Sequence, residues 1–151
     1  MSRRDELIQA IGMESAGWQE DVQRFDAAAA ARLKVNETDL RCAFLLSQRP
    51  LTAKELAEGT GLTPGAVTTV IDRLESAGLA RRRHDDSDRR RVQVELTAEA
   101  RRKIEEIWGP MVADGLTMMR RYSTAELELV REFIQKVREI QVAHTARIER
   151  R

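Results

Sequence analysis

Between residues 50 and 97 the chain carries a run of start, stop and period signals that few folds accommodate. Thr52-Ala-Lys-Glu55 reads as a capping box, in which a threonine and the glutamate three residues on satisfy free N–H groups at a helix start. It opens a short helix expected through Ala57, and Gly59-Thr-Gly61 reads as a turn. Thr63-Pro64 starts a second helix, with threonine at the cap and proline at the first helical position, where a missing N–H is harmless. That helix is expected to run to Ala77, with Gly78 ending it in the left-handed conformation that glycine tolerates. The period then changes. Residues 79–84 and 91–96 each alternate as strands do, and the polar stretch 85–90 between them reads as a hairpin turn. Two short helices, a glycine-containing turn and a hairpin are the order of a winged helix-turn-helix.

A helix that enters the major groove of DNA must show small or polar side chains at its N-terminal end. Thr63, Pro64, Gly65, Thr68 and Thr69 supply that face, whereas Val67, Val70, Ile71 and Leu74 form an apolar face that must pack on a core. Gly65 has no side chain to hold the helix away from DNA, and helix-end N–H groups suit a phosphate. Arg73, one turn beyond Thr69, is placed to reach a phosphate or a guanine edge, although a solvated surface arginine has the same pattern. Six arginines (81, 82, 83, 89, 90 and 91) fall within eleven residues around the hairpin tip. A charge run is ordinarily a solvated face. At the tip of a hairpin that follows a recognition-type helix, it also suits the narrow, negative minor groove. Asp88 can hold such an arginine extended through a charge-assisted hydrogen bond.

The central segment at this point resembles the MarR family, the multiple antibiotic resistance regulators. Asp88-Arg-Arg90-Arg-Val-Gln-Val94-Glu-Leu96-Thr97 is similar to the family's wing signature D-x-R-x-x-x-V-x-L-T. Leu51-Thr-Ala-Lys-Glu-Leu-Ala, Thr63-Pro-Gly-Ala-Val-Thr and Ile71-Asp-Arg-Leu-Glu-Ser-Ala-Gly-Leu also look like the family. The flanking helices follow in the family's order, so the resemblance covers nearly the whole chain. It implies a mainly α fold with a small β-hairpin wing, a winged helix-turn-helix with N- and C-terminal dimerisation helices. It also implies a triangular homodimer reading a pseudo-palindromic operator in double-stranded DNA. Carried onto this sequence, Arg90 is the wing arginine that enters the minor groove and Asp88 is its partner; Arg89 and Arg91, which flank Arg90, are expected as further DNA contacts. Thr68, Thr69 and Arg73 stand where family members contact bases and phosphates.

The outer helices argue for a dimer on their own. Residues 3–33 carry Leu7, Ile11, Trp18, Val22, Phe25 and Ala29 on one helical face, and Asn36 caps the next helix, with Leu40, Phe44 and Leu45. Thr97 caps a long helix with Ile104, Ile107, Trp108 and Met111, in which Gly109-Pro110 invites a kink. Ser123-Thr-Ala-Glu126 opens a last helix whose Leu127, Val130, Ile134, Val137, Gln141, His144 and Ile148 form a heptad-like stripe. Two long amphipathic helices at opposite chain ends exceed what one small winged domain can bury; packing on each other within the chain is the alternative, and the four apolar turns of the last stripe favour a twofold mate that buries them. The expected organisation is residues 1–35 plus 110–151 as dimerisation helices and 36–109 as the DNA-binding domain.

In many members of the family a small-molecule effector binds between these parts. The side chains here that suit such a pocket are Trp18, Phe25, Cys42, Phe44, Trp108 and Met111, each of which reads singly as ordinary core. Cys42 is the only cysteine, so an intrachain disulfide is excluded. Its apolar neighbours favour an inert thiol over the peroxide-sensing cysteine of some family members. Charge is uninformative as a total: 26 Lys+Arg against 25 Asp+Glu. No nucleophile–base pair, phosphate loop or catalytic carboxylate pair is discernible, so neither an enzyme nor a cofactor is expected. His84 with Asp85, Asp86 and Asp88 does not converge as a metal site. Without a charged-then-apolar leader or a membrane-spanning run, the expected place is the cytoplasm, with no membrane partner. A winged protein-interaction module and a non-specific architectural DNA binder are the alternatives. The first would show apolar residues on the recognition face, and the second would bind all duplexes equally.

Overall fold

The computed structural model describes residues 2–84 and 91–150. It contains six helices and one strand pair among them: α1 (Arg3–Leu33), α2 (Glu37–Gln48), α3 (Ala53–Thr60), α4 (Pro64–Ser76), β1 (Ala80–His84), β2 (Val92–Leu96), α5 (Ala98–Met119) and α6 (Thr124–Glu149). The chain divides into two compact units, Met1–Ile107 and Trp108–Arg151. Helix α1 falls in the first unit because Ala29, Ala30 and Leu33 in its last turns are buried.

Local chemistry sets most boundaries. Capping boxes start α1 at Ser2 with Asp5, α2 at Asn36 with Asp39, α3 at Thr52 with Glu55, and α6 at Ser123 with Glu126. Thr63 Oγ1 accepts from the Ala66 N–H at 3.3 Å, and Pro64 is the first residue of α4. Gly78 follows the last turn of α4 at φ +70°, where a side chain is strained. Helix α3 runs three residues further than the sequence suggests. Thr60 inside it donates its hydroxyl to the Leu56 carbonyl at 2.6 Å, and the left-handed position falls on Gly61, φ +72°. Helix α5 continues through Pro110, and the division between the units falls just before that proline.

The core of the first unit gathers Cys42, Ala43 and Leu46 of α2, Leu56 of α3, and Val67, Val70, Ile71 and Leu74 of α4, with Leu79, Val94, Leu96 and Ala100. Each large apolar side chain among them contributes roughly 1.5–3 kcal/mol by leaving water. The strands pair antiparallel, from Ala80 opposite Leu96 to His84 opposite Val92. Leu51 adds a bridge on the far side of β2: its N–H donates to the Val94 carbonyl at 3.0 Å, and the Val94 N–H returns at 2.7 Å. Thr97 ties the hairpin base to α4 and starts α5, donating to the Gly78 carbonyl (2.8 Å) and accepting from the Ala100 N–H (3.1 Å). In the second unit no side chain of α6 is buried. Among the described residues no helix is long and apolar enough to cross a membrane.

Candidate nucleic-acid interface

Helix α4 is two-faced. Val67, Val70, Ile71 and Leu74 are buried, while Thr63, Pro64, Gly65, Thr68, Thr69, Asp72 and Arg73 are exposed. A Cβ built on Gly65 would meet nothing within 4 Å, so the first turn stands clear of the protein. The two threonines spend their hydroxyl protons on the helix itself: Thr68 donates to the Pro64 carbonyl and Thr69 to the Gly65 carbonyl, each at 3.1 Å. They thus present oxygen lone pairs and methyl groups, which suits base-edge amino groups and thymine methyls.

Arg73 is more constrained than its sequence position suggests. Its Nε lies 3.1 Å from both oxygens of Asp39 and its Nη2 2.6 Å from Oδ1. Asp39 is 3 % exposed and Arg73 44 %. The hydrogen bonds it donates to Asp39 push the Arg73 guanidinium still further above its ordinary value, so it stays charged. Sequence reading missed Asp39, although a signal existed. It lies on the helical face that carries Ala43 and Leu46, and an acid on a buried face requires a cation.

The arginine run has partners too. Arg81 donates to Glu95 Oε1 (Nε 2.8 Å, Nη2 2.7 Å), and Arg83 Nε lies 3.3 Å from the other oxygen. Arg82 clamps β1 to α4: its N–H donates to Glu75 at 2.8 Å, Nη2 to Asp72 at 2.7 Å, and Nη1 pairs with Glu75. Arg91 Nη2 pairs with Glu55 at 3.3 Å. Arg91, expected as a DNA contact, stands just before the start of β2 and carries a carboxylate partner from α3. Glu55 also accepts from the Thr52 N–H (2.7 Å), the Thr52 hydroxyl (2.9 Å) and Arg49 (3.1 Å). The Thr52 N–H above all, with that hydroxyl and Arg49, holds its carboxyl down at about 2. Asp88, Arg89 and Arg90 lie outside the described residues.

The effector-pocket residues are spread. Cys42 is in the core, Phe25 is half-buried, and Trp18 and Phe44 are exposed. Trp18 lines an open groove along α1 with Leu7, Ala10, Ile11, Glu14 and Ser15. Trp108, half-buried, and Met111, exposed, belong to the second unit. Burial first, and Asp39 second, push the Cys42 thiol up, so it is protonated and weakly reactive at neutral pH.

An open, hydroxyl-bearing helix tip, packed on a core and clamped to a strand pair behind it, defines a winged-helix DNA-binding protein. Comparison with known proteins agrees. The model of the MarR family matches residues 35–92. The HTH-type transcriptional regulator YcgE of Bacillus subtilis (strain 168) is 36% identical over 126 residues, spanning 83% of this chain and 82% of that one. The crystal structure of YusO from Bacillus subtilis matches with TM-score 0.63 and 25% identity, over 92% of this chain and 99% of that one. The fold is also that of a mutant of S. aureus MepR bound to an oligodeoxyribonucleotide, at TM-score 0.53 and 20% identity over 93% and 99% of the two chains. The chain belongs to the MarR family: it is a DNA-binding transcriptional regulator and not an enzyme.

Proposed function

We propose that the protein is an effector-responsive repressor that binds a pseudo-palindromic operator as a homodimer in the cytoplasm. The observation that carries this reading is the exposed tip of α4, with Gly65, Thr68 and Thr69 clear of any packing on a helix whose other face is fully buried. That face is small and polar, which favours DNA over an apolar protein partner. The tip enters the major groove, and Asp88 and Arg90 of the wing meet the adjacent minor groove. That a MepR mutant of the same fold is bound to an oligodeoxyribonucleotide supports DNA as the partner.

Residues 1–35 and 110–151 hold the dimer, with 36–109 as the reading domain. Support comes from apolar side chains left open to solvent: Leu7, Ile11, Trp18 and Val22 on α1, and Val130, Phe133, Ile134 and Val137 on α6. A second copy that covers them sets two α4 helices about one DNA turn, roughly 34 Å, apart. A small apolar effector that enters beside the α1 face changes that spacing. Mobility shift against duplexes selected from a random pool tests the reading. A salt-sensitive, sequence-selective complex is expected, and Arg90→Ala removes most of it. Equal affinity for selected and random duplexes refutes the operator.

A further inference from the structure

A guanidinium has two usable edges: the side, Nε with Nη2, and the end, Nη1 with Nη2. In this protein Asp39 takes the side edge of Arg73, through contacts of 3.1 Å to Nε and 2.6 Å to Nη2. Asp39 is itself held by the start of α2. Its N–H donates to Asn36 Oδ1 at 2.8 Å, and its carboxylate accepts from the Asn36 N–H at 3.5 Å. The carboxylate is buried while the Arg73 side chain is 44 % exposed, and the Asp39 contacts use Nε and Nη2 and leave Nη1 without a hydrogen bond among the described residues. Because the group is planar, fixing one edge fixes the direction of the other.

We propose that Asp39 is a positioning residue for DNA reading: from its buried seat on α2 it locks Arg73 side-on and presents the Nη1–Nη2 end, beside Thr69, to two acceptor atoms of the DNA. The inference rests on α4 being the reading helix. Two non-bridging phosphate oxygens and the O6/N7 edge of guanine both offer that pair of acceptors. Ordering Arg73 before DNA arrives removes a loss of freedom on binding. The sign of the effect separates positioning from plain electrostatics. Asp39 is a negative charge close to a polyanion, so charge alone makes its removal strengthen binding. Positioning makes its removal weaken binding.

The test uses the full chain and a duplex selected from a random pool with the wild-type protein. Affinities are measured for wild type, Asp39→Asn, Arg73→Ala and the double variant. Asn keeps the size of the side chain and a hydrogen-bond acceptor. Each single change is expected to weaken binding roughly tenfold, the worth of one good bidentate contact, and the double variant to bind no worse than Arg73→Ala. Unchanged or tighter binding by Asp39→Asn overturns the proposal, as do additive losses in the double variant. Should Asp39→Asn fail to fold, Arg73→Lys carries the test. It keeps the charge beside Asp39 but lacks the fork, so it must lose the same affinity, and wild-type affinity in it overturns the proposal. Single 7-deazaguanine and methylphosphonate substitutions across the half-site then distinguish base from backbone. Arg73→Ala must be insensitive at the one position where wild type loses binding, and wild-type indifference to every substitution overturns the proposal. Failure to select any duplex refutes the operator reading and this inference with it. A selected duplex that Asp39→Asn binds at full strength refutes the inference alone.

Discussion

Replacing Glu55 by glutamine removes the carboxylate that joins the start of α3, Arg49, and Arg91 at the start of β2. The carboxyl sits at about 2 against an ordinary 4.5. At about 1.36 kcal/mol per decade, that gap sets a ceiling of roughly 3.4 kcal/mol on its contribution at neutral pH. The side chain is 27 % exposed and both arginine partners more so, and water screens such pairs. About 1–2 kcal/mol is therefore the expected loss for Glu55→Gln at pH 7. The sign follows from the lowered value. The folded state holds its proton less tightly than the unfolded chain, so the stabilisation is complete above 4.5 and is lost as pH falls from 4.5 towards 2. By pH 3.5 about two-fifths of it has gone. Urea unfolding at fixed protein concentration, from pH 7 to 3.5, measures the gap between variant and wild type. The gap must narrow on acidification. A gap that stays constant with pH, or below about 0.3 kcal/mol at pH 7, refutes the assignment of Glu55 as a charged hub.

Gly65→Ala leaves the unfolding midpoint unchanged or slightly raised, since nothing lies within 4 Å of the new methyl. It weakens binding to a selected duplex by roughly tenfold, comparable to the loss of one base contact, and full affinity would show that this turn does not approach DNA. Gly78→Ala forces a side chain to φ +70°. It is expected to lower stability by about 1–2 kcal/mol, read as a shift in urea midpoint with an unchanged slope. If the proposed dimer forms through the open stripe of α6, Ile134→Asp and Val137→Asp turn it into monomer in sedimentation equilibrium; a dimer that survives both would place the interface elsewhere.

Much of the fold is legible because helix starts are local. Asn36, Thr52, Thr63 and Ser123 cap within three residues of themselves, and the structure places all four caps where the sequence puts them. The end of α3 was not legible, because the helix tolerates Gly59 and closes only at Gly61, whose N–H donates to the Ala57 carbonyl. The reading face was half legible. Gly65, Thr68 and Thr69 stand open as expected, while Arg73 and Arg91 carry carboxylate partners 34 and 36 residues away in the chain.

The arginine run marks the division. Period, turn residues and the D-x-R-x-x-x-V-x-L-T match declare a wing from the sequence alone, since alternation and turn chemistry act over a few neighbouring residues. Which arginines carry a carboxylate partner is set by strand register and helix packing. Register sets Arg81 opposite Glu95, and packing brings Arg82 to Asp72 and Glu75 and Arg91 to Glu55. Composition counts charges without their partners. Only the tertiary structure pairs these arginines with carboxylates, because those carboxylates come from other elements of the fold.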